Sequence, residues 1–292
     1  MYHGVYTALI TPFNKDGSLD TAALKDFVEF QISEGISGLV PVGTTGESPT
    51  VSHDENVAVV QIVVEQAKGR VPVIAGTGSN STAEAIAMTQ RARDIGANGT
   101  LQVTPYYNKP SQEGLYRHFT AIADAAGLPM VVYNIAGRTA KNIENPTMLR
   151  LAQHPKIVAV KEASGDMAQV MDLCRTKPAD FDILSGDDNL GLPIIALGGT
   201  GIISVASNII PRQMETLVKL CREGKMEEAR ELHYRLLPFF KNLFIDTNPM
   251  PVKYAASLLG RCAEVYRLPM CEMNDAHKAT MKKSLQELGL LK

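Results

Sequence analysis

Short apolar runs recur eight times along this 292-residue chain, at 5–10, 38–42, 71–75, 100–103, 130–133, 157–160, 181–184 and 202–205. Each has the length of a buried parallel strand rather than of a buried helix. Between them lie segments with helical spacing, such as Leu24, Phe27, Val28 and Ile32, or Leu115, Phe119 and Ile122. Ser52 with Glu55, and Ser81 with Glu84, have capping-box spacing, which predicts helix starts after the second and third strands. Strand then helix, eight times over, predicts an α/β fold, a (β/α)8 TIM barrel with its site at the strands' C-terminal ends. A doubly wound open sheet is the alternative, but no Gly-x-Gly-x-x-Gly follows the first strand.

After the eighth strand the pattern becomes wholly helical. Stretches 213–222, 226–244, 252–259 and 275–288 read as helices, punctuated by Gly224, Pro249, Pro251, Gly260 and Pro269. The predicted division is a catalytic barrel over 1–224 and a C-terminal helical region over 225–292. One uncharged stretch, 191–210, has the length of a membrane span. Pro193 and its glycines divide it instead into a short helix (192–197), a turn and a strand. The N-terminus shows no basic leader, and four widely spaced cysteines without metal spacing predict reduced thiols in a cytoplasmic protein. A formal net charge of -2 gives no reason to expect nucleic acid or a membrane as partner.

The run 157–160 leads directly into Lys161. An amine at the mouth of an apolar site loses solvation, its pKa falls, and the neutral nitrogen attacks carbonyls. The strand is predicted to end just before Lys161, so that the lysine opens the following loop. Around the same mouth the other strands deliver Gly43-Thr44-Thr45-Gly46-Glu47, Tyr106-Tyr107, Tyr133 with Arg138, and Ser185-Gly186-Asp187-Asp188, where Asp188 has the position of a helix cap. An amine to capture a ketone, phenols to pass protons, and amides with a guanidinium to hold carboxylates suit an imine-forming lyase. A metal-dependent aldolase needs clustered ligands, and the six histidines show none, so no metal is expected.

These residues, with Ala75-Gly76-Thr77-Gly78, the stretch TPYYNKPSQEGLY from Thr104, Lys161-Glu162-Ala163 and Asn248-Pro249-Met250-Pro251-Val252-Lys253, resemble the dihydrodipicolinate synthase family of pyruvate-dependent class I aldolases nearly end to end. The resemblance implies a condensation of pyruvate with L-aspartate 4-semialdehyde in the diaminopimelate and L-lysine pathway. Lys161 would carry pyruvate as an imine and no separate cofactor would be needed. Tyr133, Thr45 and Tyr107 would relay protons, Tyr107 from an adjacent subunit of a homotetramer built as a dimer of dimers. Thr44 and Thr45 would hold the pyruvate carboxylate and Arg138 that of the semialdehyde, while Gly186 and Ile203 would line the site.

It also implies an allosteric lysine pocket at Ser48, Pro49, His53, Asn56, Asn80, Glu84 and Tyr106. Pro49 and Asn56 depart there from the family's frequent alanine and histidine, which predicts weak or absent inhibition by L-lysine. In a second departure, Ile135-Ala136 stands where the family commonly has proline, which removes a fixed φ and predicts a looser loop under Arg138. The alternative within the superfamily is N-acetylneuraminate lyase or a 2-keto-3-deoxy sugar acid aldolase, against which Arg138 and the Tyr106-Tyr107 pair argue. A non-catalytic sensor on the same barrel is a further alternative, opposed by the intact Lys161, Tyr133 and Thr45.

Overall fold

A computed structural model describes residues 2–292. The strands are β1 (Gly4–Ala8), β2 (Gly38–Val40), β3 (Ile74–Gly76), β4 (Gly99–Val103), β5 (Met130–Asn134), β6 (Ile157–Glu162), β7 (Asp182–Ser185) and β8 (Gly201–Ser204). The helices between them are α1 (Thr21–Ser33), α2 (His53–Ala67), α3 (Thr82–Ile95), α4 (Gln112–Ala126), α5 (Ala136–Thr139), α6 (Asn145–Leu151), α7 (Met167–Thr176) and α8 (Gly191–Ala196). Then follow α9 (Pro211–Arg222), α10 (Met226–Asn242), α11 (Met250–Leu258) and α12 (Asp275–Glu287). All ladder pairs are parallel, in the order β2-β1-β8-β7-β6-β5-β4-β3. A parallel bridge from Leu39 to Val73 joins the two ends, so the sheet closes into the (β/α)8 barrel that the alternation predicts.

Strand residues sort by period two. Tyr6, Val131, Tyr133, Ala159, Leu184 and Ile203 point into the barrel and pack on one another. Their neighbours Val132 and Val160 face helices α4, α6 and α7, while Val5 and Ile202 join the largest core, which runs from α1 and α2 through α9 to α12. That core includes Met214, Leu236, Phe239, Val252 and Met281, so the C-terminal helices share buried surface with the first strand's outer face.

The edges of several elements differ from the sequence reading. β6 continues through Glu162, because Lys161 pairs in register with Tyr133 on one side and Leu184 on the other. Lys161 is therefore inside a strand, not the first residue of a loop. β3 starts at Ile74 rather than Val71, since Pro72 has no N–H to give a ladder and offers only its carbonyl, to Leu39. Ser52 and Glu55 form the full capping box. Ser81 caps α3 but Glu84 does not reciprocate, because its carboxylate accepts the hydroxyl of Ser79 at 2.8 Å.

Candidate active site

Lys161 lies on the inward face of β6, only 5% exposed, with Nζ 4.2 Å from the centroid of the Tyr133 ring. Burial drives its pKa down to about 8, the nearby carboxylates of Asp187 and Asp188 pulling against the fall and Arg138 adding to it. Room for the lysine stem comes from Gly186, where an added Cβ would lie 2.7 Å from the Cβ of Ala163 and 3.1 Å from Cε of Lys161. Tyr133 is buried beside it, and burial holds its phenol protonated well above the ordinary range while a hydrogen bond with Thr44 works in the opposite direction.

Thr44 stands on a tight loop after β2. Gly46 N–H bonds to the carbonyl of Gly43 at 3.0 Å, Glu47 N–H to that of Thr44 at 3.1 Å, and Ser48 N–H to that of Gly43 at 3.3 Å. Two residues of this loop have left-handed backbones, Val42 with φ 55° and Glu47 with φ 57°. For a β-branched valine that conformation is strained. It is held where the Val42 carbonyl passes Gly76 so closely that a Cβ there would meet it at 2.2 Å. Glu47 is fixed by Lys253 of α11, whose Nζ lies 2.6 Å from Oε1, both side chains being essentially inaccessible to solvent. Lys253 also sits 4.1 Å above the Phe13 ring, and the second Glu47 oxygen accepts the backbone N–H of Arg267.

The loop opens onto a cavity of about 240 Å³ lined by Val42, Thr44, Ser48, Pro49, Tyr106, Tyr133 and Arg138 among others. Thr44, Pro49 and Arg138 also border a smaller chamber of about 110 Å³ closed by Asn248, Pro249, Pro269 and Met270. Arg138 is carried by α5, where the N–H groups of Arg138 and Thr139 both bond the carbonyl of Ile135 and the Thr139 hydroxyl bridges Ile135 and Lys141. That threonine closes the turn without the proline absent at 135–136. One guanidinium N–H of Arg138 reaches the carbonyl of Asn248 at 3.4 Å.

Lys161, Tyr133, Thr44, Arg138 and Gly186 are thus brought together, with Ile203 packed in the barrel beneath, in the cluster that holds Tyr133 and Ala163. Thr45 is buried and accepts a hydrogen bond from Nδ2 of Asn248 at 3.0 Å, so the hydroxyl next to Tyr133 belongs to Thr44 rather than to Thr45. Tyr107 has a left-handed backbone, φ 71°, and is 90% exposed, outside the cavity. Of the expected lysine-pocket residues, Ser48, Pro49 and Tyr106 line the main cavity and Asn80 donates to the carbonyl of Tyr106 at 3.2 Å. Asn56 instead donates to the carbonyl of Gly76, Glu84 is occupied by Ser79, and His53 is exposed at the start of α2.

Three groups named in the sequence reading take partners that it did not give them. Asp188 caps not its own turn but the one after β8, accepting Val205 N–H at 3.1 Å and Ala206 N–H at 2.8 Å, and burial raises its pKa to about 6. Glu162 faces outward from the barrel, taking N–H of Ser164 and Nδ2 of Asn134. The Glu47–Lys253 pair joins residues 206 apart; its one local trace is a lone lysine in the otherwise apolar start of α11. Among the described residues no three histidine, cysteine, aspartate or glutamate side chains are placed to hold a metal ion, and no helix is long and apolar enough to cross a membrane.

Residues 1–288 match the dihydrodipicolinate synthetase family. The chain is 52% identical over 293 residues to a 4-hydroxy-tetrahydrodipicolinate synthase of Endomicrobium trichonymphae and 50% identical over 291 residues to one of Pelobacter propionicus, each comparison covering 100% of both chains. Its fold superposes with a TM-score of 0.98, at 38% identity and 100% coverage of both chains, on the chloride-inhibited dihydrodipicolinate synthase of Acinetobacter baumannii complexed with pyruvate. With barrel, buried lysine and full-length similarity in agreement, the chain belongs to the dihydrodipicolinate synthetase family.

Proposed function

We propose that the chain condenses pyruvate with L-aspartate 4-semialdehyde through a Schiff base on Lys161, the activity named for its relatives. The observation that carries this reading is an amine buried against Tyr133 with its pKa brought down to about 8. At neutral pH roughly a tenth of such an amine is uncharged, against fewer than about one in a thousand for an ordinary lysine. The neutral nitrogen adds to the pyruvate ketone, water leaves, and loss of a methyl proton gives an enamine. The enamine carbon adds to the aldehyde, and the semialdehyde nitrogen then attacks the imine carbon, closing the ring and releasing Lys161. The lysine holds the keto acid covalently throughout, so the chemistry calls for no external cofactor.

Tyr133 hands protons to and from the reacting carbons and oxygens, and Thr44 connects it towards the mouth. Thr45 and the loop amides hold the pyruvate carboxylate, while Arg138 takes the second carboxylate. Tyr107, exposed on the single chain, serves the neighbouring subunit of a homotetramer. The cytoplasm is the compartment that suits four free cysteines. L-lysine, if it binds between Ser48, Pro49 and Tyr106, inhibits weakly, since Asn56 and Glu84 are engaged elsewhere. The test is borohydride reduction with pyruvate followed by peptide mass spectrometry, with sialic acid and ketodeoxygluconate as controls. An adduct at Lys161 with pyruvate and turnover with the semialdehyde are expected; an adduct on another lysine, or cleavage of the sugar acids alone, overturns the reading.

A further inference from the structure

Tyr133 and Lys161 stand opposite one another on β5 and β6, and the residues that follow them form a second pair, Asn134 with Glu162. Both of these side chains are buried on the outer side of the barrel wall, and neither lines the cavity. Their hydrogen bonds nevertheless run to the segments that do. Oδ1 of Asn134 accepts the N–H of Ile143 at 3.0 Å and Nδ2 donates to Oδ1 of Asn142 at 2.8 Å, so one amide closes the loop 134–143 that carries Arg138. Nδ2 also donates to Oε2 of Glu162 at 3.2 Å, whose Oε1 takes the Ser164 N–H at 2.7 Å. The main chain repeats the link, the Asn134 carbonyl accepting Ala163 N–H at 2.9 Å and the Glu162 carbonyl accepting at 2.7 Å the N–H of Gly186, the residue against the lysine stem. Arg138 itself is exposed, and among the described residues its guanidinium makes one hydrogen bond, the 3.4 Å contact with the Asn248 carbonyl. Its place over the cavity is therefore set by the base of its loop.

We propose that Asn134 and Glu162 are a positioning pair for the second substrate. They fix the base of the Arg138 loop to the strand of Lys161, so that the guanidinium meets the semialdehyde's carboxylate at a set distance from the imine carbon. This rests on the roles proposed above for Lys161 and Arg138. A guanidinium pairs with a carboxylate through a planar fork, and a small displacement of that fork moves the aldehyde away from the attacking enamine. Pyruvate's carboxylate belongs instead to the loop after β2, whose side-chain ties run to Asn248 and Lys253. Disturbing the Asn134–Glu162 contact should therefore act on the second substrate and spare the first.

The test uses Glu162→Gln, which keeps the shape but sets an N–H against either Asn134 or Ser164, whichever way the amide lies. KM for L-aspartate 4-semialdehyde should rise roughly tenfold, the value of one buried hydrogen bond lost. Pyruvate trapping on Lys161 should persist, with KM for pyruvate within about twofold. Adding Asn134→Asp exchanges donor and acceptor across the contact and should recover most of the loss. In an Arg138→Ala background Glu162→Gln should raise the semialdehyde KM no further, because the pair acts through that guanidinium. Asn142→Ala, at a half-buried position, loosens the loop base without touching either strand and should raise the same KM about threefold; it decides the matter if Glu162→Gln does not fold. Equal weakening of both substrates, the same rise in the absence of Arg138, or a semialdehyde KM unchanged in Glu162→Gln and Asn142→Ala would overturn the assignment. Failure of the wild-type chain to trap pyruvate on Lys161, or an unchanged semialdehyde KM in Arg138→Ala, would remove the roles proposed above and this inference with them.

Discussion

Burying Lys161 works against the folded state. Its pKa is about 8 in the fold against an ordinary 10.5. Below about pH 8 folded and unfolded chains both carry the proton, and the folded chain bears the whole desolvation cost, about 3 kcal/mol. Between about pH 8 and 10.5 the folded lysine alone is neutral, so the cost fades as pH rises. Lys161→Met is therefore expected to be inactive yet more stable, by about 3 kcal/mol at pH 7 and by little near pH 10.5. Urea titrations of both proteins at several pH values measure this, and equal stabilities at pH 7 would contradict it. The lysine was legible from sequence because an apolar run led straight into it. Its place inside β6 was not, since that depends on backbone pairing with Tyr133 and Leu184, residues that a local pattern does not connect.

Between elements, two buried polar contacts give separate expectations. Lys253→Met leaves Glu47 with a buried charge and no cation, which should cost about 3–5 kcal/mol, while adding Glu47→Gln should recover much of it. Denaturant midpoints of the two singles and the double variant form the cycle; a double variant destabilised by the sum of the two single losses would show that the pair is not coupled. His118 of α4 is the second case, buried against α3 with Nδ1 2.9 Å from the Thr82 hydroxyl and its pKa pushed down to about 4 by burial. Between about pH 6.5 and 4 only the unfolded chain takes that proton, so the fold loses about 3 kcal/mol as pH falls through this window. His118→Gln should flatten this part of the acid limb, read from thermal unfolding at pH 7, 5.5 and 4. The eight strands and the longer helices were readable because period and punctuation are local, whereas the short α5 was read as a loop. Element edges and polar partners were not, and Glu84 is an instance: it has capping-box spacing from Ser81, but its oxygen goes to Ser79.

At the scale of the molecule, the barrel and the mouth followed from order alone, since eight strand ends must converge once the sheet closes. The contribution of the C-terminal region did not, because Asn248 meets Thr45 across 203 residues and Lys253 meets Glu47 across 206. Tyr107 raises a question larger than one chain. If it serves a neighbour's site, mixing inactive Lys161→Ala and Tyr107→Phe subunits, unfolded and refolded together, should restore about a quarter of wild-type turnover through hybrid dimers. No recovery would place the tyrosine's role, if any, within its own subunit.

The tie between Glu47 and Lys253 also bears on when a growing chain becomes competent. All eight strands leave the ribosome before α11 does, so a nascent barrel can close while Glu47 still lacks its counter-ion and the Thr44 turn its anchor. Synthesis has to reach the last tenth or so of the molecule, where Arg267 follows Lys253, before that turn is secured. Stalled or clipped chains lacking this tail would then keep the lysine but not the loop that orients a keto acid towards it.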